Sequence, residues 1–542
     1  MRYFILLLFL GTVYFATAQS PQAPAEGPLF TLLSPSQSGI RFNNKLVDTK
    51  EHNIMIYSNY YGGAGVGIGD INGDELPDLF FAGNLEPDKL YLNKGGLRFE
   101  DITKQAGILD DGGWSSGVLF GDVNNDGHLD LYVTRELYDD NAALRRNKLY
   151  INRGDGTFSE EAAAYGVDDD QRTRHAGFLD YDKDGDLDLF LCNQPPNPGH
   201  YSQFKRDELI RDEYAVRLLR NDGARFTDVT VEAGLFRTGF PNSLLAGDLN
   251  GDGWTDLFIA NDFWIEDWIF LNNGDGTFTN KLYEYANHLS FSSMGVDAGD
   301  IDNDGDLDLV VVDMVAEDNY RLKANMSGMN PDRFWKVVDD GGHYQYMFNM
   351  LHLNQGDGHF SDIAQLSGVA NTDWSWSPLI ADFDNDGWKD LFITNGLMRD
   401  IRNNDASKEF PKYLESKLFE YIQNNSNPDP NITVWDVVDI DKAMKLVPSQ
   451  KLSNYIFKNN GDLTFTKMMG DWGLDEETFS HGSAYADLDN DGDLDLVINN
   501  VNDVAMIYQN HAAGRRTHHY LRIEPVADRP GVVNLGVKIW IE

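Results

Sequence analysis

Short apolar runs rich in β-branched and aromatic residues recur along the chain. Many begin directly behind an acidic stretch, as in "LDLYVT" from Leu129, "WTDLFIA" from Trp254 and "LDLVVV" from Leu307. Runs of this kind read as buried strands. A second kind of run ends in Asn, turns through Gly and resumes at Phe, as in "LYINRGDGTF", "IFLNNGDGTF" and "LHLNQGDGHF". Asn followed by Gly-Asp-Gly between two apolar runs predicts a β-hairpin. Behind the Phe comes a segment such as "TDVTVEAGL", and then a Gly-rich strand that enters the next acidic stretch.

Spacing decides how these units assemble. From each hairpin Asn to the next acidic stretch the separations are 29, 28, 27, 28, 28 and 28 residues, running from Asn93–Asp122 to Asn459–Asp487. From the first Asp of each stretch to its own hairpin Asn they are 23, 30, 41, 24, 54, 77 and 23. One half of the repeat is fixed, and all length variation falls in one connection. Insertions at about 194–216, 314–349 and 396–454 therefore share one place in the repeat and should crowd one face. Within the longest, Phe410, Leu414, Leu418 and Tyr421 fall near helical spacing, which predicts a helix on the rim. Short strands at this period predict an all-β, seven-bladed β-propeller over residues 28–512. After Asn510 the last repeat lacks its Phe strand, and "LFTLLSPSQSGI" from Leu29 supplies a match. The N-terminal strand is expected to complete the last blade and remove the open edges.

The acidic stretches follow one template, Asp-x-(Asp/Asn)-x-Asp-x-x-x-Asp. They are Asp70, Asn72, Asp74, Asp78; Asp122, Asn124, Asp126, Asp130; Asp180, Asp182, Asp184, Asp188; and Asp248, Asn250, Asp252, Asp256. The last three are Asp300, Asp302, Asp304, Asp308; Asp382, Asp384, Asp386, Asp390; and Asp487, Asp489, Asp491, Asp495. Six of the seven have Gly after the third of these positions, and the first has Glu75. Crowded carboxylates repel unless a cation lies between them. Calcium takes six to eight oxygens at roughly 2.3–2.6 Å, and alternate side chains of a sharply turned loop can supply them. Magnesium fits less well, because it demands a tight octahedron and keeps its waters. An EF-hand is excluded: the fifth loop has Val311 at position 12, and strands follow the loops where that motif needs a helix. Up to seven calcium ions are expected.

Charge and composition narrow the partners. A formal charge of −43 disfavours nucleic acid and anionic membranes, while 42% hydrophobic residues exclude a disordered acidic chain. Residues 1–18 read as a signal peptide, with Arg2, an apolar run to Phe15 and small residues at Ala16 and Ala18. A short linker, 19–27, follows. No other stretch has transmembrane length. Export to a secreted, periplasmic or cell-surface location is expected. Cys192 is the only cysteine, so no internal disulfide can form, and its apolar setting predicts a buried inert thiol.

Seven loops in register resemble the FG-GAP, or VCBS, repeats of calcium-binding β-propellers, of the cartilage acidic protein and ASPIC/UnbV type. Residues 513–542 resemble the start of the small β-rich ASPIC/UnbV domain. The resemblance implies an extracellular calcium-dependent binding or scaffold module, with an extracellular protein or glycan as partner. Strands entering the loops should lie nearest the axis. Tyr60, Trp114, Arg174, His175, Asn242, Ser293, Trp374, Trp376 and His481 precede the loops and could line an axial ligand site. The alternative is a carbohydrate-active enzyme, a polysaccharide lyase or hydrolase, using Arg174, His175 and His481 on that axis. "GWSSG" at Gly113–Gly117 is no nucleophile elbow, because it leads into an Asp loop and no helix follows.

Overall fold

The structure is a computed structural model that describes residues 27–196, 212–263, 265–325, 331–356, 358–515, 520, 521 and 523. The expected signal peptide, nearly all of the expected linker and most of the 513–542 segment lie outside the described residues, as does most of the 194–216 insertion.

Short apolar strands, the second of each blade buried along its whole length, assemble into seven antiparallel blades. The first is built of Val66–Gly69, Asp78–Phe81, Lys89–Asn93 and Phe99–Asp101. The inner strands of the next six are Trp114–Gly121, Arg172–Leu179, Pro241–Gly247, Val296–Gly299, Asp373–Ala381 and Ser480–Ala486. The sixth blade gains a fifth strand, Met314–Val315, paired to Asp373 and Trp374. The fourth strand of the last blade is Phe30–Leu32, with Phe30 opposite Asn510 and Leu32 opposite Tyr508. The two ends of the propeller thus share one sheet and the ring is closed.

Each pair of neighbouring blades has its own apolar core. Tyr132 and Leu149 of the second blade meet Leu189 and Leu191 of the third, all nearly inaccessible. Cys192 lies in the core between the third and fourth blades, where burial pushes its thiol far above the usual range. Inner strands use glycine where the next blade presses on them. A Cβ on Gly121 would stand 2.8 Å from Phe178, and one on Gly299 would stand 2.5 Å from Ile380.

A further cluster has no counterpart in the repeat. Leu46, Ile54, Tyr57, Tyr60 and Tyr61 of the N-terminal segment pack with Leu397, Phe410, Met444 and Val447 of the longest insertion. Trp114 and Phe479, at the starts of inner strands, join them. The helix Ala406–Asn424 therefore forms where Phe410 to Tyr421 predict it, but Phe410 packs into this cap over the axis, not onto an outer rim. The insertions of blades five and six interlock: buried Arg321 binds Asp373 and Asp400 through both carboxylates, and Gln450 besides. Among the described residues no helix is long and apolar enough to cross a membrane.

Candidate metal loops and axial chamber

Every Asp loop joins the inner strand of a blade to its second strand. The turn closes on the first Asp. In the second loop Asp122 accepts the Asp126 N–H at Oδ1 (3.0 Å) and the Gly127 N–H at Oδ2 (2.7 Å). Gly127 has φ +87°, a region that strains residues with a Cβ, and Gly185, Gly253, Gly305, Gly387 and Gly492 do the same. Glu75 of the first loop adopts the same conformation, with φ +66°, and its N–H still reaches Asp70 Oδ2 at 2.8 Å. The substitution therefore keeps the loop geometry at the expense of local strain.

The last Asp of each loop is fully buried and has a fixed task. Asp188 Oδ2 accepts the N–H of Tyr181, the second loop residue, at 3.1 Å, and Oδ1 accepts the N–H of the hairpin Asn221 at 2.8 Å. The same pair of bonds recurs at Asp78, Asp130, Asp256, Asp308, Asp390 and Asp495. Burial pushes these carboxyls up, to about 7 at Asp78, Asp130, Asp256 and Asp308 and about 8 at Asp188, Asp390 and Asp495. The two N–H groups pull each one down, and the other loop carboxylates push it further up.

The hairpin Asn then ties each loop to its neighbour. Asn272 Nδ2 donates to the carbonyl of Tyr181, inside the loop of the preceding blade, at 2.7 Å. Asn93, Asn152, Asn221, Asn354, Asn459 and Asn510 make the equivalent bond to Leu488, Ile71, Val123, Leu249, Ile301 and Phe383. Loops also touch directly: Asn303, Asn385 and Asn490 donate to the carbonyls of Gly387, Gly492 and Glu75 in the next loop round. The seven loops are one connected ring.

The carboxylates within them suit a hard cation. Ligand oxygens gather within 4.8 Å of one another at Asp180, Asp182 and Asp188; at Asp300, Asp302 and Asp304; at Asp382, Asp384 and Asp390; and at Asp487, Asp489 and Asp491. Oδ1 of Asp180, Asp182, Asp384 and Asp489 is buried without a hydrogen-bond partner, a cost that a bound cation would remove. Loops with Asn at the third position relieve repulsion differently: Asn72 and Asn250 donate to Asp74 and Asp252 at 3.1 and 2.9 Å.

At the other end of the inner strands lies a channel of about 270 Å³, lined from every blade and including Arg174, His175, Asn242, Trp376 and His481. Under the cap it opens into a chamber of about 150 Å³, walled by Asn59, Tyr61, Asp262, Trp374 and Arg402. Arg174 donates to Glu136 Oε1 at 2.9 Å and to the Gly62 carbonyl at 2.7 Å. The His481 ring lies tilted by 36° against Trp376, with centroids 5.0 Å apart, and its two ring nitrogens lie 2.7 and 3.1 Å from the Tyr61 and Phe479 carbonyls. Burial pushes His175 and His481 down to about 4, and at His481 the two facing carbonyls pull the other way.

The family model for the FG-GAP-like repeat matches residues 70–133, 138–191, 248–311 and 337–393, which together contain the first six of these loops. The chain carries FG-GAP-like repeats. This FG-GAP chain is 29% identical to human cartilage acidic protein 1 over 167 residues, covering 28% of the chain and 24% of the relative. The mouse protein of that name is 26% identical over 191 residues (35% and 26%), and that of Xenopus tropicalis 28% over 134 residues (25% and 20%). The chain thus matches about a quarter of the length of these relatives.

Three residues expected on the axis of the propeller are elsewhere. Tyr60 and Trp114 are completely buried in the cap, with rings 5.3 Å apart, and Tyr60 donates to the Val47 carbonyl at 2.6 Å. The apolar 46–61 segment folds over the start of the second blade's inner strand and takes Trp114 out of the channel. Ser293 is also buried, held by Asp267 at 3.0 Å. Asp262 and Arg402 line the chamber without having been expected there, because they sit in connections outside the repeat.

Proposed function

We propose that the chain is an extracellular binding module whose FG-GAP ring is held by calcium. The observation that carries this is the ring itself: orphaned carboxylate oxygens sit in loops that are hydrogen-bonded to one another around the disc. The Asp and Asn residues at template positions one, three, five and nine would hold the ions. A bound ion supplies the charge that lets the carboxylates stay close. Each site kept at about 100 times its dissociation constant adds roughly 2.7 kcal/mol. Extracellular sites commonly bind at about 10⁻⁴–10⁻³ M, which matches export by the N-terminal signal. The partner is an extracellular protein or glycan, and the capped face with its aromatic chamber is the surface offered to it. The acidic surface repels polyanions.

Asp304 tests the reading. It groups with Asp300 and Asp302 and is exposed, so its loss removes little packing. Asp304→Ala should lower the melting temperature in calcium and change it far less in excess chelator. Equal losses in both conditions would refute ligation.

A further inference from the structure

The residue before the hairpin Asn is Leu92, Ile151, Arg220, Leu271, Leu353 or Gln509 in six blades, and Lys458 in the sixth. Its ammonium lies 2.5 Å from Asp386 Oδ2 and also contacts Asp384 Oδ2. These are the fifth and third template positions of the sixth loop. The side chains of all three are 15–29% exposed, so water screens the contact only in part. Where the third blade has Arg220, that more exposed side chain pairs with Asp222 at 2.9 Å and reaches Tyr181 and Asp182 of the third loop by weaker interactions. Where the seventh has Gln509, a neutral amide reaches Asp489 Oδ2 at 3.3 Å. The strand position before Asn thus points a side chain at the loop of its own blade, and the sixth blade places a positive charge there.

We propose that Lys458 is a built-in counter-ion of the sixth loop, which closes that loop without metal and makes it the weakest calcium site of the seven. The inference rests on the calcium reading above. An ammonium on two template carboxylates supplies one positive charge where the other loops need an ion. A divalent ion entering beside it meets a like charge and must displace it from oxygens that it would itself use. Asp382, Asp384 and Asp390 keep their oxygens within 4.8 Å, so the loop retains a ligand set once the lysine withdraws.

The test is a calcium titration of the full chain, counting bound ions by native mass spectrometry, for wild type, Lys458→Gln and Lys458→Leu. Gln and Leu already occupy this position in other blades, so both variants suit the strand. In wild type the last ion should need roughly tenfold more calcium than the others, a gap set by one partly screened charge. In both variants that ion should bind with the rest, and both should melt lower than wild type in chelator. Identical midpoints for all ions in the three proteins would overturn the proposal, as would the loss of an ion from the variants. If wild type and variants alike bind no calcium, the calcium reading falls first and takes this inference with it.

Discussion

Replacing Asn272 by Ala removes one bridge between neighbouring blades and leaves the fold otherwise unchanged. The side chain is 4% exposed and makes three bonds: to the Tyr181 carbonyl at 2.7 Å, to the Thr255 carbonyl at 3.2 Å, and from the Gly274 N–H at 2.9 Å. Each is worth about 1 kcal/mol net, and two buried carbonyls lose a donor, so the expected loss is about 3 kcal/mol. The neighbour Asn273 is the control. It is exposed and bonds only within its own hairpin, to Thr277 and from Thr279, so Asn273→Ala should cost about 0.5 kcal/mol or less. Urea unfolding in calcium measures both. Because Tyr181 stands between Asp180 and Asp182, Asn272→Ala should also weaken calcium stabilisation of the third loop. A loss below about 1 kcal/mol, or equal losses for the two variants, would refute the bridge.

Three further outcomes follow from the loop and cap geometry. The buried template aspartates have folded values near 7–8 against 3.8, so their stability contribution is full below about pH 4 and is lost as pH rises toward 8. Buried His175, His352 and His481, pushed down to about 4, act oppositely but are fewer. In chelator the melting temperature should fall between about pH 5 and pH 8, and calcium should abolish the fall; equal pH slopes would contradict this. Glu75→Gly should stabilise by about 0.5–1 kcal/mol in chemical denaturation, since relief of strain at φ +66° exceeds the entropy cost of Gly; destabilisation would mean the strain is absent. Arg321→Met should cost about 3–5 kcal/mol, because Asp373 and Asp400 are left buried and unpaired; a neutral result would show that the cap does not depend on this link.

The repeat was legible because its signals are local. An Asp template, a hairpin Asn and a constant spacing of about 28 residues give the blade number, and a spare Phe strand at Phe30 gives the closure. What escaped depends on contacts across the ring. Asn272 reads as a turn residue, and its bond to Tyr181, 91 residues away, exists only once blades are stacked. Trp114 precedes a loop as Trp376 does, yet one is buried under the cap and the other lines the channel, because the 46–61 segment covers one and leaves the other. Lys458 carried a faint signal, a charge at a strand position that is apolar in four other blades. Its meaning needed the strand register that aims it at Asp384 and Asp386.

Melting the full chain in saturating calcium and in excess EGTA, with bound ions counted by native mass spectrometry, addresses the central claim most directly. The account predicts a large drop in melting temperature on chelation and six ions at moderate calcium, with a seventh only at higher concentration. Unchanged melting with no metal bound would contradict it and leave the loops as acidic turns held by hydrogen bonds alone.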